Sequence, residues 1–169
     1  MKTLSGLLLA FALCIFGGET LAQISDLNVA INKAGRQRML SQRMAKAYFQ
    51  IAQQVDVDRS NKALDASIAA FDRQLVELKN FAPTPEIKDT YVKLEQSWLA
   101  YKDLLIGSPP SQANGRKVLE LSDQVLGLAH SATQQLEKRS SSSAGRLVNL
   151  SGRQRMLSQR MAKFYQANA

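Results

Sequence analysis

Apolar residues recur at every third or fourth position through long stretches of this chain, and that spacing is typical of one face of an α-helix. The clearest stripes are Leu64, Ile68, Phe71, Leu75 and Leu78; then Ile87, Tyr91, Leu94, Trp98, Tyr101 and Leu105; then Val118, Leu121, Val125, Leu128, Ala132 and Leu136. Glycine and proline are scarce after residue 22 and cluster between these stretches. The pattern therefore predicts an all-α protein.

Short breaks separate the predicted helices. These helices run from about 25 to 54, 59 to 80, 85 to 106, 113 to 139 and 146 to 166. Ser25 or Asp26 is the expected N-cap of the first helix. Thr84 is the expected N-cap of the third, with Pro85 in its first turn. Because short connections make successive helices antiparallel, the first four should form an up-down four-helix bundle, followed by a C-terminal helix.

The N-terminal segment is expected to be a signal peptide covering residues 1–22. Lys2 precedes the apolar run Leu4–Phe16, and Thr20-Leu21-Ala22 offers a small-residue cleavage site. The apolar run is shorter than the roughly 20 residues of a membrane-spanning helix, and no later stretch approaches that length. We expect a periplasmic protein without its own transmembrane or signalling part. Its predicted segments are a bundle domain at 23–139, a serine-rich hinge at 140–145 and a C-terminal helix at 146–169.

Two nearly identical segments distinguish this chain from an ordinary helical bundle. Residues 35–48 read GRQRMLSQRMAKAY (the first box), and residues 152–165 read GRQRMLSQRMAKFY (the second box). Only Ala47 and Phe164 differ. Each box holds three arginines, one lysine and no acid, so the two boxes together account for the net charge of +8. The basicity belongs to one repeated helix, and an exported protein rarely meets nucleic acid, so we expect no nucleic-acid partner.

Within the first box, one arginine lies on the face expected to pack. A single 3–4 row along the helix contains Leu27, Ile31, Ala34, Arg38, Ser41, Ala45, Tyr48 and Ala52. Every member except Arg38 is apolar or small. Arg36 and Arg43 lie roughly 140–160° around the helix from Arg38, on the side where solvent is expected.

A guanidinium on a packed face needs an anion or hydrogen-bond acceptors. Neither box contains an acid, and a planar fork of N–H donors suits a planar oxyanion. Gly35, one turn before Arg38, leaves room for an anion or a second helix to approach. The alternative is that Arg38 extends to the surface or pairs with an acid on another helix.

These residues also resemble a known family. Ile31-Asn32-Lys33-Ala34-Gly35, followed by Arg38-Met39, Ser41 and Arg43, is similar to the motif of PilJ-type and NarX-type periplasmic sensor domains, over about residues 24–139. That resemblance implies a dimerising four-helix bundle. It also implies that nitrate or nitrite is held between two paired first helices by one arginine from each. The implied anion-binding residues are Arg38, Gly35, Ser41 and Asn32, with Arg155 and Gly152 in the second box.

The sequence leaves the position of the C-terminal helix open. If the chain turns back at the hinge, the fifth helix runs parallel to the first, and Val148 and Arg155 lie level with Ile31 and Arg38. A domain-swapped dimer and a single unbroken fourth helix are the two other possibilities, because serine disfavours helix only mildly.

Other features of the sequence point to structural roles. His130 is expected to be a packed residue, and the methionines of the boxes are expected to fill the core. No catalytic motif, metal site or cofactor motif is found, so no enzyme is expected. We expect a sensor-type module that binds a small oxyanion and acts as a homodimer or with a membrane-bound sensor partner. The alternative is a non-catalytic interaction protein whose basic helices dock on an acidic protein or an anionic membrane.

Overall fold

The computed structural model describes residue 24, residues 26–140 and residues 143–169, apart from the side chain of Gln112. These residues form five helices and no strand, which confirms the all-α class. The helices are α1 (Leu27–Ala52), α2 (Val57–Phe81), α3 (Pro85–Gly107), α4 (Gln112–Ser140) and α5 (Ser143–Asn168). The predicted signal peptide at 1–22 lies outside the described residues.

The helix starts follow the capping residues in the sequence. The Asp26 carboxylate accepts hydrogen bonds from the backbone N–H groups of Asn28 and Val29, at 2.7 and 2.9 Å. Thr84 Oγ1 accepts one from the N–H of Ile87 at 3.3 Å, and Pro85 stands in the first turn of α3. Both caps satisfy N–H groups that a helix leaves unpaired at its start.

The break between α1 and α2 is as long as predicted but lies two residues earlier in the chain. Gln54 and Asp56 both have left-handed backbone angles, with φ of 58° and 44°. Two such residues reverse the chain within a few positions, so α2 begins at Val57 rather than near 59. Asp56 precedes α2 but makes no side-chain capping bond.

Helix α1 is the central element and packs against α2, α4 and α5. Lys33 near the start of α1 pairs with Glu77 near the end of α2 at 2.6 Å. The amide of Gln42 donates to the carbonyl of Ser122 in α4 at 3.0 Å, and the amide of Gln53 donates to the carbonyl of Gln166 in α5.

The second box lies against α1 of the same chain. Among the three arrangements considered for it, this is the one in which the chain turns back. Residue numbers rise together along the two helices, from Arg38 beside Asn149 to Gln53 beside Gln166. The helices therefore run in the same direction.

Both α4 and α5 extend into the segment 140–145 that the sequence predicts as a hinge. Helix α4 continues to Ser140 and α5 starts at Ser143, while residues 141 and 142 are not described. Serine costs a helix little compared with alanine, which explains why both helices extend into the serine run. Gly145 is buried inside α5, where an added Cβ would lie 3.1 Å from Ile31 Cδ1. The missing side chain lets α5 approach α1 closely.

Large aromatic side chains fill the core between α2 and α3. Phe71 stacks on Trp98 with ring centroids 4.2 Å apart, and Tyr101 meets Trp98 edge-on at 6.0 Å. The Trp98 indole N–H donates to Asp72 at 2.7 Å, so its polar edge is satisfied. Burial of each such side chain contributes about 1.5–3 kcal/mol.

None of the described helices is long and apolar enough to cross a membrane.

Candidate functional site

The two boxes meet at the same residue of each copy. Gly35 of α1 and Gly152 of α5 are equivalent positions, 117 residues apart in the sequence. A Cβ added to Gly152 would lie 3.6 Å from the Gly35 Cα and 3.3 Å from Arg38 Nη2. One added to Gly35 would lie 3.2 Å from the same nitrogen. The absence of both side chains thus leaves the space that the guanidinium occupies, and we call this contact the glycine crossing.

Arg38 lies at the glycine crossing and is fully buried, with 0% of its surface exposed. Its Nη2 donates to Asn149 twice, to Oδ1 at 2.6 Å and to the carbonyl oxygen at 3.2 Å. Its Nη1 lies 3.1 Å from His130 Nδ1 in α4. Its buried Nε has no hydrogen-bond partner. Three helices therefore hold one guanidinium, and one of its donors is left over.

The acceptors around Arg38 are neutral. Among the described residues, no carboxylate lies within 4.0 Å of its nitrogens. The nearest charge compensation comes through Asn149, whose amide donates to Glu137 on α4. The pKa of Arg38 is lowered to about 10, mainly by burial and also by the positive charge of the neighbouring Arg153, while Glu137 opposes the shift. Arg38 remains a cation at neutral pH, in surroundings that do not fully compensate its charge.

His130 is held in its neutral form by the same surroundings. Burial lowers its pKa, and the positive charges of Arg38 and Arg153 add to the effect. Because Arg38 can only donate, Nδ1 of His130 must accept, which places the ring proton on Nε2. A second positive charge on this ring would lie directly against the guanidinium.

A reciprocal contact joins the two motifs on the other side of the crossing. Arg155 Nη2 donates to Asn32 Oδ1 at 3.3 Å. Arg155 and Asn32 are the equivalents of Arg38 and Asn149 with the helices exchanged. The two contacts therefore approximate a local twofold relation between α1 and α5. It is not a full symmetry, because Arg155 is exposed where Arg38 is buried.

The structure brings most of the sequence-predicted residues together. Gly35, Gly152, Arg38, Asn32 and Arg155 all lie at or beside the glycine crossing.

Ser41 is also buried, but the contacts of its side chain are local to α1. Its hydroxyl donates to the carbonyl of Arg38 at 2.9 Å and lies 3.2 Å from the amide of Gln42. Nothing in these contacts connects Ser41 with the guanidinium.

Sequence reasoning missed three contributors to this site. Asn149 could have been found, because it stands at the position of Asn32 in the second copy. His130 and Glu137 carried no such signal. Their placement beside Arg38 depends on which face of α4 lies against α1 and α5, and the periodicity of α4 does not fix that.

The described residues contain no group of three or more His, Cys, Asp or Glu side chains placed to hold a metal ion. The site is instead one buried cation surrounded by neutral hydrogen-bond acceptors. Its chemistry is that of anion or acceptor recognition.

Comparison with known proteins agrees with the motif. Residues 20–126 match the PilJ family, described as the N-terminal domain of type IV pili methyl-accepting chemotaxis transducers. The methyl-accepting chemotaxis protein McpN of Pseudomonas aeruginosa is 33% identical over 144 residues, which cover 75% of this chain and 26% of that protein. The chain thus matches about a quarter of that relative's length, and no solved structure matches it. Because the family match covers more than half of its residues, the chain belongs to the PilJ family of chemotaxis transducer N-terminal domains.

Proposed function

We propose that this protein is a periplasmic, non-catalytic sensor module that binds a small oxyanion of the nitrate or nitrite type. Membership of a chemotaxis transducer domain family supports the sensor role. The observation that carries the ligand class is the fully buried Arg38, surrounded by neutral acceptors and left with one unpaired donor. A buried cation without an ionic partner gains most from an anion that can reach it.

We further propose that α1 to α4 form an antiparallel up-down bundle and that α5 supplies the second motif helix. Two contacts support this helix arrangement. The start of α1 pairs with the end of α2 through Lys33 and Glu77, and Arg38 of α1 contacts His130 in α4. In the resembling sensor domains, a partner subunit contributes the second helix. Here the glycine crossing brings both copies together within one chain.

Arg38 would bind the anion through donors that are now shared with the protein. Asn149 Oδ1, the Asn149 carbonyl and His130 Nδ1 are oxygen and nitrogen acceptors around one planar fork. An oxyanion would take over one or two of these positions and gain charge-assisted hydrogen bonds, which are about twice as strong as neutral ones. The positive charge of Arg153, which lowers the pKa of Arg38, would also attract the anion.

Thermal unfolding of the protein from Gln23 onward tests this proposal. Nitrate, nitrite, sulfate and chloride should be compared at equal ionic strength, so that screening is the same in every arm. We expect nitrate or nitrite to raise the melting temperature and chloride to leave it unchanged. If no oxyanion shifts the melting temperature at concentrations up to high millimolar, the proposed ligand class is refuted.

The boundaries of the secreted form are part of the same proposal. Export should release residues 1–22 and leave a periplasmic protein that consists of the bundle at 23–139, the hinge and the C-terminal helix. Mass spectrometry of the protein recovered from the periplasm should find Gln23 at its N-terminus. Recovery of the uncleaved chain from the cytoplasm would contradict this location.

A second candidate function, protein docking, is favoured by the outer face of α5. This face exposes an apolar stripe of Leu147, Leu150, Leu157, Met161, Phe164 and Tyr165. Met161 and Tyr165 are both 74% exposed, whereas their equivalents in α1, Met44 and Tyr48, are 0% and 2% exposed. The face that α1 buries against other helices is therefore uncovered on α5.

We propose that a helical partner covers this stripe, namely the sensor bundle of a membrane-bound transducer with acidic residues at its rim. The exposed Arg146 and Arg153 beside the stripe would favour such a rim. The probe is the purified periplasmic domain of a PilJ-family transducer from the same organism, titrated against the full chain. Met161→Asp should weaken binding by about tenfold or more. Val92→Asp, an exposed apolar position on α3, is the matched control. Equal binding by wild type and Met161→Asp, or no binding, would contradict docking through α5.

A further inference from the structure

A second cluster of cations lies on the far side of α1 from Arg38. Arg43 and Lys46 of the first box line a polar cavity of about 360 Å³, together with Arg59 and Ser60 of α2 and Gln159 of α5. Arg43 lies roughly 140° around α1 from Arg38, so the two sites do not share a helix face. We call this space the cationic cavity.

The second box shows what this pair of cations can hold. Arg160 and Lys163 are the equivalents of Arg43 and Lys46, in boxes that are identical at thirteen of fourteen positions. Both form ion pairs with one carboxylate of α4, that of Asp123. Arg160 Nη2 lies 3.4 Å from its Oδ2, and Lys163 Nζ lies 2.8 Å from its Oδ1. The Arg-x-x-Lys pair on one helix face is thus a two-point clamp for an oxyanion.

In the first box, no protein carboxylate fills the equivalent clamp. Within the described part of the chain, neither Arg43 nor Lys46 forms an ion pair. The cavity has one acid, Asp56, which lies 3.9 Å from Arg59 in an exposed pair. Burial lowers the pKa of Lys46, and the nearby charges of Arg43 and Arg59 lower it further. Three cations and one acid leave the cavity with a net charge of about +2.

One neutral lining residue, Gln159, points to a ligand that also donates a hydrogen bond. Gln159 lines the cavity, and its buried Oε1 has no hydrogen-bond partner. Hydrogen phosphate combines up to two negative charges with an O–H group, so it can meet the cations and donate to an amide oxygen. The volume of about 360 Å³ also leaves room for a substituent on the phosphate. A fully ionised monoester has no P–O–H group, so a hydroxyl of its substituent would then be the donor.

We propose that the cationic cavity is a binding site for a phosphate group, either inorganic phosphate or a phosphate monoester. Arg43 and Lys46 clamp its oxygens as Arg160 and Lys163 clamp Asp123. Arg59 supplies the third positive charge from the start of α2, where the helix dipole adds to the attraction. The site is independent of the proposed nitrate site, because it uses neither Arg38 nor the glycine crossing.

Titration calorimetry on the full chain tests the proposal, with phosphate, glycerol 3-phosphate, sulfate and chloride at equal ionic strength and pH 7. Phosphate or its monoester should bind, and the tighter of the two identifies the source of the group. Sulfate, which is ionised but carries no O–H, should bind at least several-fold more weakly. Equal binding of sulfate, or no binding of either phosphate, would overturn the proposal.

Substitutions locate the site. Lys46→Gln and Arg59→Gln should each weaken phosphate binding about tenfold or more. Arg59 is 87% exposed in its side chain, so its replacement leaves the fold intact even if the Lys46 variant is destabilised. Lys88→Gln, which removes the same charge from an exposed position on α3, should have little effect. Full retention of binding by Arg59→Gln, or its loss on Arg38→Ala in a folded protein, would place the phosphate elsewhere and refute the assignment.

Discussion

Replacement of Arg38 by alanine separates the structural role of this residue from its role in binding. In the absence of ligand, the change removes three hydrogen bonds to neutral acceptors and leaves Asn149 without its donor. It also removes a buried cation with no ionic partner. These effects oppose each other, and we expect a net destabilisation of about 1–3 kcal/mol with the bundle still folded.

In the presence of ligand, the two proteins should behave differently. If nitrate binds the folded protein as proposed, nitrate at 100 times its dissociation constant should stabilise the wild type by about 2.7 kcal/mol. At roughly 2–4 °C per kcal/mol for a domain of this size, the melting temperature should rise by about 5–10 °C. Arg38→Ala should show no rise at the same concentration, because the buried guanidinium that is proposed to bind the anion is gone. Differential scanning fluorimetry or calorimetry measures both quantities.

Arg36→Ala is the matched control for this experiment. It removes the same charge from the same box, at a position that is exposed rather than buried. It should retain the nitrate shift. Equal losses from Arg36→Ala and Arg38→Ala would show that diffuse positive charge is responsible, and would refute the argument from the buried guanidinium.

Three further predictions follow from the same structure. In the folded protein the pKa of His130 is lowered, so His130 stays neutral where the unfolded chain takes up a proton, near pH 6.5. The free energy of unfolding should therefore fall as the pH drops below about 6.5. His130→Gln should flatten that part of the pH profile in urea denaturation; an unchanged profile would contradict the role of His130. Gly152→Val should separate α5 from α1, because its added atoms would meet Arg38 and the Gly35 backbone. The free energy of unfolding should fall by about 1–3 kcal/mol or more, and hydrogen exchange in α5 should become faster. In denaturant titrations, Met44→Ala should lower the free energy of unfolding by about 2–5 kcal/mol, whereas Met161→Ala should change it by less than about 0.5 kcal/mol. Similar losses from both substitutions would show that this face of α5 is covered.

Local sequence determined the elements of this protein and much of the first site. The apolar stripes predicted the helices, and Asp26 and Thr84 cap α1 and α3 as their residue types indicated. The burial of Arg38 follows from its place in a row of apolar and small residues, because helix geometry fixes which side chains share a face. The family motif named the same arginine.

The partners of Arg38 depended on tertiary structure. His130 reaches it only because α4 lies against α1, and Glu137 of α4 is linked to it by the hydrogen bond from Asn149 of α5. Such contacts join residues about 90 to 110 positions apart in the sequence, as the separations of 92 and 111 residues from Arg38 to His130 and Asn149 show. Periodicity within one helix carries no information on that pairing.

The two boxes show the division most directly, since thirteen of their fourteen residues are identical. Their local sequence makes both of them helices with the same faces. Yet Met44 is fully buried and Met161 is 74% exposed, while Lys46 lines an open cavity and Lys163 is buried against Asp123. Burial and charge pairing depend on which other helices cover a face, and α1 is covered by α2, α4 and α5, whereas α5 packs mainly on α1. Sequence thus determined which side chains each box presents, and the packing of the helices decided which copy has its partners within the chain.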